Sequence, residues 1–223
     1  MTLDNKLSNE GQYDRLDFER ADQGFPDMTR DVLYSRLAKS DLEGRKLLDI
    51  GCGYGLDLEH FAQQGCEVYG IDSSQKMIDK TRKKCPTAEL VCASVEEPFF
   101  HNEQFDYIIS RYAIQHAENV GLVLQHARNV LKKGGELVIM VTHPIRQYFE
   151  KKTKDYWKKE VVQSKILWDR LVVEEPSHTF EEYLEGLKGM EYIYAEPIFD
   201  PAAEAIKDAG KYPSVLLLHY RKL

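Results

Sequence analysis

The sequence predicts an α/β protein with a Rossmann-like, doubly wound sheet, and three observations carry that reading. From Lys46 to Val141, short apolar runs alternate with amphipathic helical stretches, a period that produces parallel βαβ units. The first run leads straight into a turn, LLDIGCGYG (Leu47–Gly55), with three glycines in five positions. The last apolar runs, Tyr192–Phe199 and Ser214–Tyr220, are joined too briefly for a helical crossover, which favours antiparallel pairing at one edge.

The elements follow in order. From Thr29 the stretch TRDVLYSRLAKSDLEG places Val32, Leu33 and Leu37 at helical spacing, with Gly44 as a stop signal. Lys46–Ile50 reads as a strand. Leu56–Gln64 reads as a helix with Leu58, Phe61 and Ala62 on one face, closed by Gly65. A strand over Glu67–Asp72 and a helix over Ser74–Lys84 come next, with Met77, Ile78 and Thr81 facing inward. Glu89–Cys92 and Phe105–Ser110 are strands, Asn119–Leu131 is a helix with Gly134 and Gly135 as its exit, and Glu136–Val141 is a strand. After Pro144 the rhythm stops, and Ile145 to Val173 is rich in Lys, Tyr and Trp. Thr179-Phe-Glu-Glu182 has the form of a capping box, opening a helix that runs through Leu187 and ends at Gly189.

The 223 residues suffice for one domain with a sizeable core, and 43% hydrophobic and 30% charged residues describe an ordinary globular chain. A net charge of −7 argues against bulk attraction to nucleic acid or an anionic membrane. No apolar run is long enough for a membrane span and the N-terminus has no apolar signal core, so a cytoplasmic location is expected. Cys52, Cys66, Cys85 and Cys92 show no metal-ligand spacing and read as reduced, packed thiols, with no metal site expected.

Bare backbone at the glycine turn implies close approach by a ligand. A dinucleotide fingerprint would place a third glycine where Leu56 stands, and no Gly-Lys-Ser/Thr of a phosphate loop follows. Asp49, two positions before Gly51, would repel phosphates but pairs well with a cation such as an ammonium. Asp72, at the end of the second strand, stands where a carboxylate takes both hydroxyls of a ribose. A positively charged nucleoside, S-adenosyl-L-methionine, satisfies both acids.

Four stretches, LLDIGCGYG at 47–55, VYGIDSSQKMI at 68–78, FDYIISRYAIQH at 105–116 and VLKKGGELVIMV at 130–141, resemble the class I S-adenosylmethionine-dependent methyltransferases, of the small-molecule type 11/12 sort. The resemblance implies a seven-stranded sheet whose last strand is antiparallel, with helices on both faces. It also implies a single methyltransferase domain over 1–223, with 1–30 as an N-terminal lid and 145–173 as an acceptor-cap insertion. For the cofactor the reading places Asp49, Gly51, Gly53 and Gly55 at the methionine end, Asp72 at the ribose and Arg111 on the floor, with Cys52, Ser73 and Met77 as further cofactor-binding candidates. Ala93, Ser94 and Val95 fall near the adenine. Relatives often carry an aspartate at the position of Ala93, so Ser94 or the backbone near Val95 must hold the base here. Tyr13 is a candidate to close over the cofactor.

Two histidines are candidate catalytic groups on the acceptor side. His143 follows the fifth strand in VTHP, and His116 lies four residues after Tyr112, where the usual role in the family is to anchor the loop. In the insertion, Tyr148, Phe149, Tyr156, Trp157 and Trp168 stand among lysines and arginines. They offer a stacking wall for a flat or cationic acceptor, an ordinary helix, or a basic platform for RNA. The favoured function is methyl transfer to oxygen or nitrogen of a small molecule by a monomer or homodimer. The rivals are a tRNA or peptide methyltransferase and a protein that binds the cofactor without methylating.

Overall fold

In a computed structural model that describes residues 28–38, 40–100, 103–166, 171–199 and 212–223, the two-sided burial of the middle strands sets the architecture. Leu47, Leu48 and Ile50 of β1 (Lys46–Ile50) are buried, as are Leu137 to Val141 of β5 (Leu131–Thr142). Strands covered on both faces read as continuous apolar runs, and here helices supply both covers. On one face α1 (Met28–Leu37), α2 (Leu56–Gln63) and α3 (Gln75–Lys84) pack Leu33, Leu37, Leu58, Phe61 and Ile78 against Leu47, Met140 and Leu217. On the other, α4 (Val120–Val130) carries Val123, Leu124 and Ala127 against Leu48, Ile108 and Ile139.

The remaining strands are β2 (Glu67–Asp72), β3 (Glu89–Cys92), β4 (Phe105–Arg111), β8 (Met190–Ile198) and β9 (Val215–Lys222). The seven-stranded order is β3-β2-β1-β4-β5-β9-β8, with β1 to β5 parallel and β9 antiparallel to both its neighbours. The chain leaves β1 in one direction and returns on its other side at β4, so the carboxyl ends of these two strands flank the crevice where open α/β sheets bind ligands.

Three elements differ from the sequence reading. Helix α1 ends at Leu37, and Gly44 (φ 66°) belongs to the following turn, where its amide bonds to Gly65. Strand β5 starts at Leu131 rather than Glu136. Its pairing with β4 slips between Phe105 and Tyr107, and Gly134 and Gly135 lie within this irregularity rather than at a helix exit. The insertion is neither one helix nor featureless. It consists of α5 (Pro144–Glu150), a loop, and an antiparallel hairpin of β6 (Val161–Ile166) and β7 (Leu171–Pro176). In the loop, the Lys151 ammonium donates to the carbonyls of Asp155, Tyr156 and Lys158, which folds the backbone around a single cation. The capping box at Thr179 and Glu182 forms as expected and opens α6 (Phe180–Gly186).

Candidate functional site

The site begins at the tip of β1. Gly51 (φ 79°) and Gly53 (φ 53°) hold left-handed backbone that side-chain-bearing residues rarely adopt. A Cβ on Gly51 would lie 2.0 Å from that of Ala113, whereas one on Gly53 would meet nothing within 4 Å. The first glycine therefore lets two loops touch, and the second presents bare backbone to open space. The turn is pinned from below. The Gly51 and Cys52 amides donate to the carbonyl of Ile71, and Thr81 on α3 donates its hydroxyl to the carbonyl of Gly53. A Cβ on Gly55 would strike Thr81 at 2.7 Å, so α3 also fixes the exit of the turn.

The two acids identified from sequence flank this loop in different states. Asp72 accepts from the amides of Gly53 and Ser74, both at 2.9 Å, so its carboxylate is held against the glycine turn at the end of β2. Asp49 is 2% exposed, and its Oδ2 has no hydrogen-bond partner. Burial first, then the negative charge of Asp57, pushes the Asp49 carboxyl well above its usual range, against the opposing pull of Arg111. A buried carboxylate oxygen without a donor favours a cationic group beside it.

Behind these acids lies a charge cluster that the sequence reading missed. Asp57 in the first turn of α2 accepts from Arg30 Nε (2.8 Å) and Tyr34 Oη (2.7 Å) through one oxygen and from Arg111 Nε (3.3 Å) through the other. Burial raises the Asp57 carboxyl, but the guanidiniums of Arg111 and Arg30 outweigh it and hold it below the usual range. Burial and the Asp57 charge together raise the Tyr34 phenol. In the sequence Asp57 looks like an acid at a helix N-terminus, and the partners from α1 and β4 arrive only through folding.

The other expected cofactor positions fall beside the same strand tips. Cys92 pairs with Asp72 in the sheet, and the Ala93 amide bonds to the Asp72 carbonyl, so Ala93, Ser94 and Val95 turn away next to the second acid. Ser73 is partly exposed there, and Arg111 ends β4. Cys52 within the turn and Met77 on α3 are buried, and burial, then the Asp49 and Asp72 charges, raise the Cys52 thiol. Tyr13 and the N-terminal lid lie outside the described residues.

Of the two histidines expected beside the acceptor, His143 caps α5, its Nδ1 accepting from the Ile145 amide at 3.1 Å. That contact leaves the proton of the neutral ring on Nε2. His116, in a 3₁₀ turn after β4, is buried with its Nδ1 3.9 Å from Glu175 Oε2 of β7. Burial lowers the pKa of both rings. Among the described residues the insertion's aromatics do not gather into one wall. Phe149 stacks on Tyr212, and Tyr156 bonds to Glu181 and the Phe180 amide. Trp157 is 70% exposed, and Trp168 lies outside the described residues. Glu196 pairs with Arg36, and His178 bonds through its ring to the Gln115 carbonyl and Glu182.

Residues 48–139 match the model of the "Methyltransferase domain" family. Among curated proteins, a "Ubiquinone biosynthesis O-methyltransferase" of Bradyrhizobium sp. (strain ORS 278) is 35% identical over 112 residues, covering 48% of this chain and 44% of that protein. The chain thus spans less than half the length of that relative. A protein of the same name from Rhodopseudomonas palustris (strain HaA2) is 29% identical over 182 residues, 78% of this chain and 70% of its own. Among solved structures, an S-adenosylmethionine-dependent methyltransferase from Mesorhizobium loti superposes with a TM-score of 0.67 at 22% identity, over 86% of this chain and 96% of that one, a likeness of fold. The bare loop, the unpaired Asp49 oxygen and the open space at Gly53 fit S-adenosyl-L-methionine. Residues 48–139 thus carry the methyltransferase-domain match, and the seven-stranded sheet around them has the fold of the S-adenosylmethionine-dependent methyltransferase it superposes on.

Proposed function

We propose that this protein transfers a methyl group from S-adenosyl-L-methionine to an oxygen or nitrogen of a small molecule, with oxygen favoured by the names of its curated relatives. The observation that carries the reading is the buried, unpaired Asp49 oxygen at the tip of a bare glycine turn. When bound, the cofactor supplies a methyl group on a sulfonium. Asp49 binds its ammonium, Gly51, Gly53 and Gly55 admit its chain against bare backbone, and Cys52 and Met77 support the turn. Asp72 and Ser73 hold the ribose hydroxyls. Ala93, Ser94 and Val95 border the adenine. Arg111 lines the floor and, with Arg30, supplies positive charge for the carboxylate.

The reading extends to a single domain over 1–223 in the cytoplasm, with Tyr13 and residues 1–30 as a lid and 145–173 as a cap over the acceptor. Of the two imidazoles on that side, His143 donates from Nε2 and orients the acceptor, because its Nδ1 is taken by the helix cap. His116, buried in its 3₁₀ turn beside Glu175, anchors the loop after β4.

Titration calorimetry with S-adenosylhomocysteine tests the cofactor site, and a protein that does not bind it overturns the reading. Incubation with methyl-labelled cofactor and fractionated cell extract tests the acceptor. Label in small metabolites is expected, and label in RNA, in protein or nowhere would each favour a rival.

A further inference from the structure

Three carboxylates act on one another around the glycine turn, and the fold gives them unequal partners. Asp72 accepts two amide bonds, and Asp57 takes the Nε–H of both Arg30 and Arg111 together with the Tyr34 hydroxyl. Asp49 lacks such support. It lies on an inner strand, β1, between Gly70 of β2 and Ile109 of β4. Leu48 and Ile50 on either side of it are buried, and its Oδ2 has no hydrogen-bond partner. A carboxyl buried in this way is ionised only where a neighbouring charge outweighs the loss of water, and otherwise it keeps its proton.

Among the described residues, Asp57 of α2, Asp72 of β2, Arg111 of β4 and Arg30 of α1 act on Asp49 by charge. The two acids oppose a further negative charge. The two guanidiniums favour it, but each gives its Nε–H to Asp57. Burial first, and Asp57 next, therefore prevail over them. The Cys52 thiol of the same turn stays neutral, because burial and then Asp49 and Asp72 hold its proton in place. An ammonium arriving at Oδ2 changes this balance, since it brings both the missing donor and a full positive charge.

We propose that the ligand-free protein holds a proton on the Asp49 carboxyl and that the cofactor's ammonium displaces it, so that binding releases a proton. The carboxyl O–H bond breaks, its electron pair stays on the oxygen, and the proton passes to the buffer. The ammonium keeps its own protons and donates one hydrogen bond to the carboxylate. The neutral form spares the ligand-free protein an unpaired buried charge, and acid weakens binding because protons compete with the ammonium for the same oxygen. The inference rests on the methyltransferase reading above and adds to it how the site takes up the amino-acid end of the cofactor.

The experiment is titration calorimetry of the full chain with S-adenosylhomocysteine, which retains the ammonium, in buffers of different ionisation enthalpy. It runs from about pH 5 to about pH 7, where an α-amino group stays protonated. Proton release should approach one per molecule bound at the acid end and decline wherever the free carboxyl ionises by itself. Over the pH interval of release, affinity should rise by up to about tenfold per pH unit. Asp49→Asn should bind more weakly and release no such proton, which separates Asp49 from every histidine. If that variant does not fold or binds too weakly to titrate, infrared difference spectra of the wild-type chain decide: the carbonyl stretch of a protonated carboxyl should vanish as the ligand is added. No proton release at any pH, equal release by Asp49→Asn, or an unchanged infrared band overturns the proposal. Binding without proton release leaves the cofactor site standing and removes only the proton exchange, whereas a chain that binds nothing overturns both.

Discussion

At the tip of β1, Asp49 lies buried with one oxygen that no donor reaches, whereas on β7 the equally buried Glu175 has an oxygen that accepts from both Gln147 and Ser164. The first region is a bare turn at the end of an apolar strand, with its polar capacity left open. The second is a knot of side chains from α5, β6, β7 and the turn after β4. An open acceptor costs native stability and suits a ligand that brings the missing charge. A closed network stabilises a shape. The cofactor end thus stores binding capacity, and the insertion stores geometry.

The sharpest way to break this contrast is Gly51→Ala. The new Cβ combines a left-handed backbone penalty with a 2.0 Å clash against Ala113, and urea unfolding should show a loss of about 3–5 kcal/mol. Full stability would mean that the two loops do not pack as described.

Asp57→Asn should follow at about 3 kcal/mol, because it weakens a buried charge shared by Arg30, Arg111 and Tyr34. Since folding lowers the Asp57 carboxyl, its contribution is present above the ordinary carboxylate range and lost as pH falls through the folded value. The gap between wild type and variant should narrow in acid melts.

Asp49→Asn carries the opposite sign. A carboxyl raised by folding adds stability that is fully present below its unfolded value and lost as pH rises through the folded one. The ligand-free variant should therefore be about 1–2 kcal/mol more stable than wild type at pH 7. It should bind S-adenosylhomocysteine at least about tenfold more weakly. A variant that is both less stable and equally tight would erase the distinction between the two regions.

The smallest effect belongs to the insertion's exit. Thr179→Ala removes half of the capping box and should cost about 1 kcal/mol in thermal or urea unfolding, with cofactor affinity unchanged. His178 lies beside this cap, and its bond, with that of the Thr179 amide, outweighs burial to hold Glu182 down to about 2.

Local patterns made much of the molecule legible. The alternation of apolar runs and amphipathic helices gave the parallel strands, the glycine spacing with Asp49 and Asp72 gave an acid-flanked bare turn, and Thr179 with Glu182 gave a helix start, because each rests on neighbours in the chain. Arg30, Tyr34 and Asp57 stayed hidden although each was in plain view, since one cluster draws them from α1 and α2 and takes its third cation, Arg111, from β4. Gly134 and Gly135 read as a helix exit because a glycine pair looks alike in a cap and in a sheet irregularity.

What the sequence determined by itself was the order and kind of the elements up to β5 and the bare, acid-flanked turn, because hydrophobic period and glycine chemistry act over a few residues. What only the tertiary structure decided was that the segment after Pro144 forms a hairpin, that Asp49 keeps an unpaired oxygen while Asp57 collects cations, and that Glu175 reaches His116 from 59 residues away. Burial and partnership of a charged group depend on which distant segments the fold brings beside it, and no spacing along the chain encodes that directly.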